Sequence, residues 1–339
     1  MRRIKRFLKV VFCQCVYYGG LFHWYIRLVF LRKKDFGAVI INYHRFVESL
    51  ESQLETKSTV VHRIEDFRRE IRFLKRYFHI ASLDEVAQNL REGKRFKQPT
   101  VALTIDDGWR DNYELLFPVL KKENVPATIF LTAGVIGTDR QMWFHRLSEV
   151  MRRTKKQVLF LNGRLHKKTY FLNSLNKRRR AYIAILQELK DVDIGERDRY
   201  LSEIENQLGR IANAIPVMLD WSQVRAMHKQ GVSFGAHSCT HPILTNMPLE
   251  DAKKEIIESK RIIENKLEEP VNHFAYPNGR PKDFNEELRK FCQQSGFQSI
   301  CSCDYGHNRY AADVWSLKRI GSEVPIGLFA ANVVRSFYL

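Results

Sequence analysis

Apolar segments of two kinds alternate along most of the chain. Short β-branched runs indicate buried strands, and segments with apolar residues three or four positions apart indicate amphipathic helices. Strands are predicted at 38–44, 100–108, 127–134, 232–237, 271–279 and 297–301. Helices are predicted at 64–77, 82–93, 111–125, 221–231, 249–268 and 284–295. Because strands and helices alternate, the pattern predicts an α/β fold with a parallel sheet.

The alternation stops in one long segment, residues 138–215. This segment is rich in Lys and Arg, has helical patterning and carries no strong strand signal. Since strands and helices alternate again after it, we interpret it as a basic helical insertion. The α/β domain then comprises residues 37–137 and 216–339.

Residues 1–36 form a separate N-terminal arm. Polar residues interrupt its apolar run of 7–30, so no span of ~20 apolar residues predicts a transmembrane helix. No small-residue cleavage site of a signal peptide follows the run. At 100° per residue, one sector of the arm holds seven basic side chains, namely Arg2, Lys5, Arg6, Lys9, His23, Arg27 and Lys34. This indicates an amphipathic helix broken at Gly19 and Gly20. We expect it to lie in an anionic membrane interface; the alternative is a helix docked on the protein's own core.

The net charge of +18 is concentrated in two places. Residues 1–34 carry nine Lys or Arg and no acid, and residues 151–215 carry 15 basic and seven acidic residues. No nucleic-acid recognition motif accompanies this charge, so an anionic lipid or glycan is the expected partner. Six cysteines are too few for a disulfide framework. The cysteines are then expected to be reduced, which favours a reducing compartment. Together with the basic arm, this predicts peripheral association with a bacterial inner membrane, on its cytoplasmic side.

Three predicted strands end in polar residues able to carry out catalysis. The first is followed by Asp106 and Asp107, the second by His237 and His241, and the third by a Tyr-Pro-Asn-Gly turn at 276–279. Because the carboxyl ends of parallel strands form one face of an α/β barrel, these side chains are expected to converge.

Two imidazoles and one carboxylate make an open metal site with room for water. Pro242 favours a loop over a helix for His237 and His241. Either Asp106 or Asp107 supplies the carboxylate, and the other takes a proton from water. The same ligand set suits non-haem iron oxygenases, but the second carboxylate favours hydrolysis.

The motifs TIDDG, HSCTHP and FAYPNG resemble those of the NodB-homology polysaccharide deacetylases, carbohydrate esterase family 4. The resemblance covers about residues 38–137 and 216–325 and implies a distorted (β/α) barrel of the NodB type. It implies that Asp106 is the catalytic base. It further implies that Asp107, His237 and His241 bind a divalent ion, Zn²⁺, and that the backbone N–H near Asn278 stabilises an oxyanion.

The sequence departs from the family pattern in two places. Ala275 stands where the third motif has an arginine, so the group that orients Asp106 is not identified. The late motif that supplies the general acid has no clear copy, and His307 is the candidate for that role. We also expect substrate contacts from three residues: His44, Trp109 as a sugar-stacking platform, and Tyr276.

The predicted function is N-deacetylation of an N-acetylated sugar in a cell-envelope glycan or glycolipid. The basic run 177–180 is predicted to hold the phosphate of a lipid-linked substrate. Two alternatives stay open at this point: an O-acetyl esterase with the same machinery, and a catalytically inactive glycan- or membrane-binding module.

Overall fold

The computed structural model describes residues 2–31, 36–51, 53–55, 60–163, 166–210 and 217–338. The described strands are β1 (Ala38–Tyr43), β2 (Arg45–Val47), β3 (Val61–Arg63), β4 (His79–Ala81), β5 (Thr100–Ile105), β6 (Thr128–Leu131), β7 (Val158–Gly163), β8 (His166–Phe171), β9 (Ser233–Ala236), β10 (His273–Ala275), β11 (Ser299–Cys301) and β12 (Arg319–Gly321). The described α-helices are α1 (Arg2–Tyr18), α2 (Leu21–Leu31), α3 (Ile64–Tyr77), α4 (Leu83–Arg91), α5 (Phe117–Glu123), α6 (Trp143–Arg153), α7 (Leu175–Lys190), α8 (Ile194–Leu208), α9 (Trp221–His228), α10 (Leu249–Leu267), α11 (Glu286–Gln294) and α12 (Ile326–Ser336).

The central sheet is parallel and nearly closed. Its strands follow the order β11-β10-β9-β6-β5-β1-β12. The short strand β4 pairs with the first half of β5, on the same side of β5 as β6. A parallel bridge from Cys301 to Leu317, just before β12, joins the two ends. This confirms the expected distorted (β/α) barrel, with helices packed around the strands.

Strand alternation divides the side chains between the barrel interior and the helical layer. Ala102, Phe130 and Ala275 belong to an interior cluster, whereas neighbours such as Leu103 pack with the helices. Gly235 leaves room for the Phe130 ring, because a Cβ there would lie 2.5 Å from it. The interior is therefore a packed core, and a cavity opens towards the carboxyl ends of the strands.

The insertion has a hydrophobic core of its own and is not wholly helical. It contains α6, α7 and α8, but β7 and β8 form an antiparallel hairpin that the sequence pattern did not indicate. Leu159 and Leu161 of β7 are buried in the insertion core with Tyr170 of β8. Because most residues of β8 are polar, its sequence shows no clear alternation of apolar and polar positions.

The N-terminal arm consists of two helices that separate at Gly19 and Gly20, where a break was expected. Both helices dock on the barrel: α1 packs along α12, and Phe22 and Ile26 of α2 enter the main core. Among the described residues, no helix is both long and apolar enough to cross a membrane.

Candidate active site

The carboxyl ends of the strands surround a cavity of about 400 Å³, within the size range of small-ligand sites. In β5 the alternation that buries Ala102 in the barrel interior also turns Thr104 and Asp106 inward. Asn42 of β1 and Arg319 of β12 reach the same layer, because each donates a hydrogen bond to Asp106. The fold thus gathers polar groups from distant parts of the chain.

Asp107, His237 and His241 form a cluster that could hold a metal ion, with ligand atoms within 4.8 Å of one another. Asp107 Oδ1 lies 3.6 Å from His237 Nε2 and 3.3 Å from His241 Nε2. This oxygen is buried, and no described donor is aligned on it for a hydrogen bond. Two imidazole nitrogens and one carboxylate oxygen are ligands that suit Zn²⁺. The donor set therefore fits the expected divalent ion.

Neighbouring groups fix the orientation of the cluster. His237 Nδ1 donates to the backbone oxygen of Ala275 across 2.7 Å, which leaves Nε2 as the acceptor nitrogen. Trp109 Nε1 donates to Asp107 Oδ2 across 2.8 Å, which turns Oδ1 towards the histidines. Such supports are typical of metal ligands, whose partners set ring orientation and basicity.

The backbone around the metal-binding cluster adopts strained conformations. Asp107, Ser238, His241 and Asn278 all have positive φ angles, between 58° and 82°. Non-glycine residues adopt this conformation at a cost of about 1–3 kcal/mol each, and they concentrate at functional sites. Here the strain accompanies the turns that bring the side chains to one point.

The protonation states also suit metal binding. Burial by itself raises the pKa of Asp107, but the close approach of His241, with the charges of His241, His44 and His237, holds that pKa well below its usual range. Burial lowers the pKa of His237 to about 4. An ionised carboxylate beside a neutral imidazole is the form that coordinates a cation.

Asp106 is held by groups other than the metal cluster. Arg319 Nη1 donates to its Oδ1 across 2.8 Å, and Asn42 Nδ2 donates to its Oδ2 across 3.0 Å. Burial raises the pKa of Asp106, but the charge and hydrogen bond of Arg319, together with the charges of His237 and His44, lower it overall. Arg319 therefore occupies the role of the arginine missing at Ala275, and sequence reasoning did not find it.

Trp109, the predicted sugar-stacking platform, is held mainly by contacts within the protein. Its side chain is 2% exposed, and the Arg45 guanidinium lies over its ring, 4.5 Å from the centroid. Its indole N–H is used to hold Asp107. Trp109 lines the cavity, but little of its ring is accessible and one face is covered by Arg45, so its contact with a sugar stays a prediction.

Tyr276 does not contact the cavity, contrary to the predicted role in substrate binding. Ala275 faces the barrel interior, so strand alternation sends the next side chain outward. The Tyr276 ring is fully buried and stacks on Phe284 at 4.3 Å. It belongs to the core beneath α11 and does not line the cavity.

His307 lies at the opposite end of the barrel and is not the general acid. The neighbouring Asn308 bridges to Ala38 at the start of β1, and the His307 ring lies against Gly37. Its Nε2 accepts a hydrogen bond from Arg309. Asp106 follows the carboxyl end of β5, so the two groups face different ends of the strands.

His44 and Asn278 line the cavity, and their roles stay predictions. His44 Nε2 lies 3.8 Å from Asp106 Oδ2. Asn278 Oδ1 accepts a hydrogen bond from Lys190 of the insertion across 2.7 Å, which ties the third motif to the insertion.

The insertion forms one wall of the cavity. Ile183 and Leu186 of α7, with Val192 and Ile194 beyond it, give this wall an aliphatic character.

Two arginines of the basic run 177–180 are bonded within the protein, and the phosphate-binding role of the run stays a prediction. Arg178 donates to the backbone oxygens of Met151, Arg152 and Leu172, and Arg179 donates to that of Gln53. Their guanidinium groups satisfy carbonyls at the end of α6 and in nearby loops.

Comparison with known proteins agrees with this geometry. A polysaccharide deacetylase family model matches residues 93–300. The poly-beta-1,6-N-acetyl-D-glucosamine N-deacetylase of Staphylococcus epidermidis is 28% identical over 221 residues, which are 60% of this chain and 73% of that protein. The enzyme of the same name from Staphylococcus aureus is 26% identical over 219 residues, with the same coverage.

Solved structures of low sequence identity share the fold. The Streptococcus pyogenes deacetylase PplD, in complex with acetate, has a TM-score of 0.59 at 17% identity and covers 89% of this chain and 99% of its own. IcaB from Ammonifex degensii has a TM-score of 0.57 at 16% identity and covers 90% and 98%. Since the family model spans more than half of the chain, this protein belongs to the polysaccharide deacetylase family and is an amide hydrolase.

Proposed function

We propose that this protein is a metal-dependent N-deacetylase of an N-acetylated amino sugar in a cell-envelope glycan or glycolipid. One observation carries the proposal: two adjacent carboxylates face different partners. Asp107 faces two imidazoles, and Asp106 is paired with Arg319. Asp107 is thus placed to bind a metal ion and Asp106 to act as a base, and metal-assisted amide hydrolysis uses both roles.

Asp107, His237 and His241 are the residues that would hold the ion. A divalent ion bound there supplies Lewis-acid chemistry, because it lowers the pKa of water and polarises a carbonyl oxygen. We propose zinc because the set contains two imidazoles and one carboxylate. Asn278, with its positive φ at the cavity wall, is the proposed backbone donor to the developing oxyanion.

The other residues move protons. Asp106 takes a proton from the water whose oxygen attacks the acetamide carbonyl carbon. Arg319 and Asn42 hold this carboxylate, so its orientation is set before substrate binds. When the carbon–nitrogen bond breaks, the amine nitrogen needs a proton, and acetate leaves. Among the described residues lining the cavity, two imidazoles lie outside the metal cluster: His44, whose side chain is 23% exposed, and the buried His145. We assign His44 as the proton donor because it lies 3.8 Å from Asp106.

The amino-sugar substrate is proposed from the relatives, two of which are named as deacetylases of poly-beta-1,6-N-acetyl-D-glucosamine. The glycolipid is proposed from the cavity itself. Ile183, Leu186 and Val192 present an aliphatic wall beside the polar site, and Ile183 is 46% exposed. An aliphatic wall favours a substrate that carries a hydrocarbon chain near its sugar.

The principal test is the release of free amine and acetate from β-1,6-linked N-acetylglucosamine oligosaccharides by the purified protein. We expect equal amounts of both products, loss of activity on chelation, and its return with Zn²⁺. An O-acetylated sugar serves as the comparison substrate. Acetate release from the ester alone would replace the N-deacetylase with the O-acetyl esterase, and no release from either substrate would favour a binding module.

The lipid-linked substrate is tested separately. Deacetylation rates are compared on an N-acetylhexosamine linked to a polyprenyl phosphate and on the same sugar as a free oligosaccharide. Ile183→Ser should slow only the lipid-linked reaction. The matched control is Phe160→Ser, since Phe160 is also well exposed, at 59%, in the same insertion but does not line the cavity. Equal rates on both substrates would argue against the glycolipid while leaving the N-deacetylase intact.

A further inference from the structure

The N-terminal arm packs against the barrel through one face. Gln14 Oε1 accepts a hydrogen bond from the backbone N–H of Gly327 across 2.7 Å. The two helices approach closely there, because a Cβ at Gly327 would lie 2.6 Å from the backbone oxygen of Cys13. In α2, Phe22 and Ile26 are buried. The arm is thus an ordered part of the surface, with a defined inner and outer face.

The outer face of the arm exposes large apolar side chains. In α1, Phe7, Leu8 and Phe12 are 60–69% exposed. In α2, Leu21, Trp24 and Leu28 are each 64% exposed. We call these six residues the arm surface. Leu21, Trp24 and Leu28 are three and four positions apart, so they lie side by side on one face of α2. Soluble proteins rarely expose apolar patches of this kind unless the patch binds a partner or a membrane.

Positive charges flank the arm surface. Lys5 and Lys9 of α1 and Arg27 of α2 are exposed. On a helical projection, Lys9 lies at the border of the sector that contains Phe7, Leu8 and Phe12, and Arg27 borders Trp24 and Leu28. Residues 1–34 contain no acidic residue. The partner must therefore accept apolar side chains and carry negative charge around them.

An anionic bilayer has this combination of properties. Phe, Leu and Trp enter the boundary between headgroups and acyl chains, and flanking Lys and Arg contact the phosphates. We propose that the arm surface binds the protein to the surface of an anionic lipid bilayer. This goes beyond the proposed function and does not depend on it, because the surface binds whether or not the catalytic site turns over.

The experiment uses the full chain and sedimentation with vesicles of phosphatidylethanolamine and phosphatidylglycerol, compared with phosphatidylcholine. We expect at least about tenfold stronger partitioning to the anionic vesicles, and a decrease at high salt. Phe12→Ser with Trp24→Ser should weaken partitioning by about tenfold or more. The matched control is Phe160→Ser with Phe171→Ser, because these aromatic side chains are 59% and 58% exposed outside the arm.

A second pair of variants tests the charge. Lys5→Gln, Lys9→Gln and Arg27→Gln together should weaken partitioning about a hundredfold, since each basic residue near an anionic surface contributes about fivefold. The same three-charge change at the exposed Lys121, Lys122 and Lys266 should have little effect. Circular dichroism and thermal unfolding establish that each variant is folded.

Three outcomes would overturn the proposal. The first is equal partitioning of the arm variant and its aromatic control, and the second is no preference for anionic vesicles. The third is a dimer in analytical ultracentrifugation that the Phe12 and Trp24 changes abolish while vesicle binding is absent. In that case a second copy of the chain covers the arm surface.

Discussion

Arg319 Nη1 donates a hydrogen bond to Asp106 Oδ1 across 2.8 Å, although the two residues are 213 positions apart in the chain. Both side chains are nearly inaccessible to solvent. Arg319 Nε also donates to the backbone oxygen of Ser302, so the guanidinium is fixed on both sides. A buried carboxylate with such a partner is pre-oriented for proton transfer, at the cost of desolvating both charges.

Replacing Arg319 should therefore affect turnover more than substrate binding. We expect Arg319→Gln to lower kcat by about a hundredfold or more, with little change in KM or metal content, because a misplaced base loses general-base catalysis. Arg319→Lys should restore part of kcat, since it returns the charge without the two-sided hydrogen bonding. Thermal unfolding separates this effect from loss of the fold. A raised KM with unchanged kcat would contradict the positioning role.

Trp109 should act on metal affinity. Trp109→Phe removes the hydrogen bond to Asp107 Oδ2 but keeps an aromatic ring beneath Arg45. Loss of such a support typically weakens metal binding by about 10- to 100-fold. Competition with a chromogenic chelator measures this, and KM for the glycan should change little. An unchanged metal affinity with a raised KM would instead support Trp109 as a sugar-stacking platform.

The proton-donor role of His44 predicts a dependence on the leaving group. His44→Ala should slow amide hydrolysis much more than hydrolysis of 4-nitrophenyl acetate, because a phenolate leaves without a proton and an amine does not. His307→Ala should leave the rates of both reactions close to those of the unmodified protein, since His307 lies at the other end of the barrel. Equal slowing of both reactions by His44→Ala would rule out the proton donor.

His145 should make folding stability depend on pH. Burial lowers its pKa from 6.5 to about 4, so the unfolded chain gains a proton on this side chain first as the pH falls. Its contribution is fully present above about pH 6.5 and is lost as the pH falls towards 4, by up to about 3 kcal/mol. Urea unfolding at pH 7.5 and 4.5 should show a smaller loss in His145→Gln. Identical losses would show that His145 is not the group responsible.

Some of this site could be predicted from the sequence, because its residues sit in local motifs at strand ends. Asp106, Asp107, His237 and His241 each follow an apolar strand, and parallel strands bring such ends together. Arg319 could not be found in this way. It lies on a three-residue strand with no readable periodicity, beyond the residues that the family model matches.

The remaining errors have specific physical causes. Tyr276 was expected in the cavity because its motif lies there, yet alternation after Ala275 sends its side chain into the core. His307 follows a strand in sequence, but its loop returns to the amino end of the barrel. Motif membership places a residue near a site, whereas the direction of its side chain depends on strand register and loop path.

The most direct measurement is the amount of metal bound per chain in Asp106→Asn and Asp107→Asn, purified and loaded with Zn²⁺ under the same conditions. We predict that Asp106→Asn keeps one ion per chain while releasing no acetate, because the ion is held by Asp107 and the two histidines. Asp107→Asn should lose most of the metal. Loss of metal to the same extent in both variants, or continued turnover by Asp106→Asn, would contradict the division of roles between the two carboxylates.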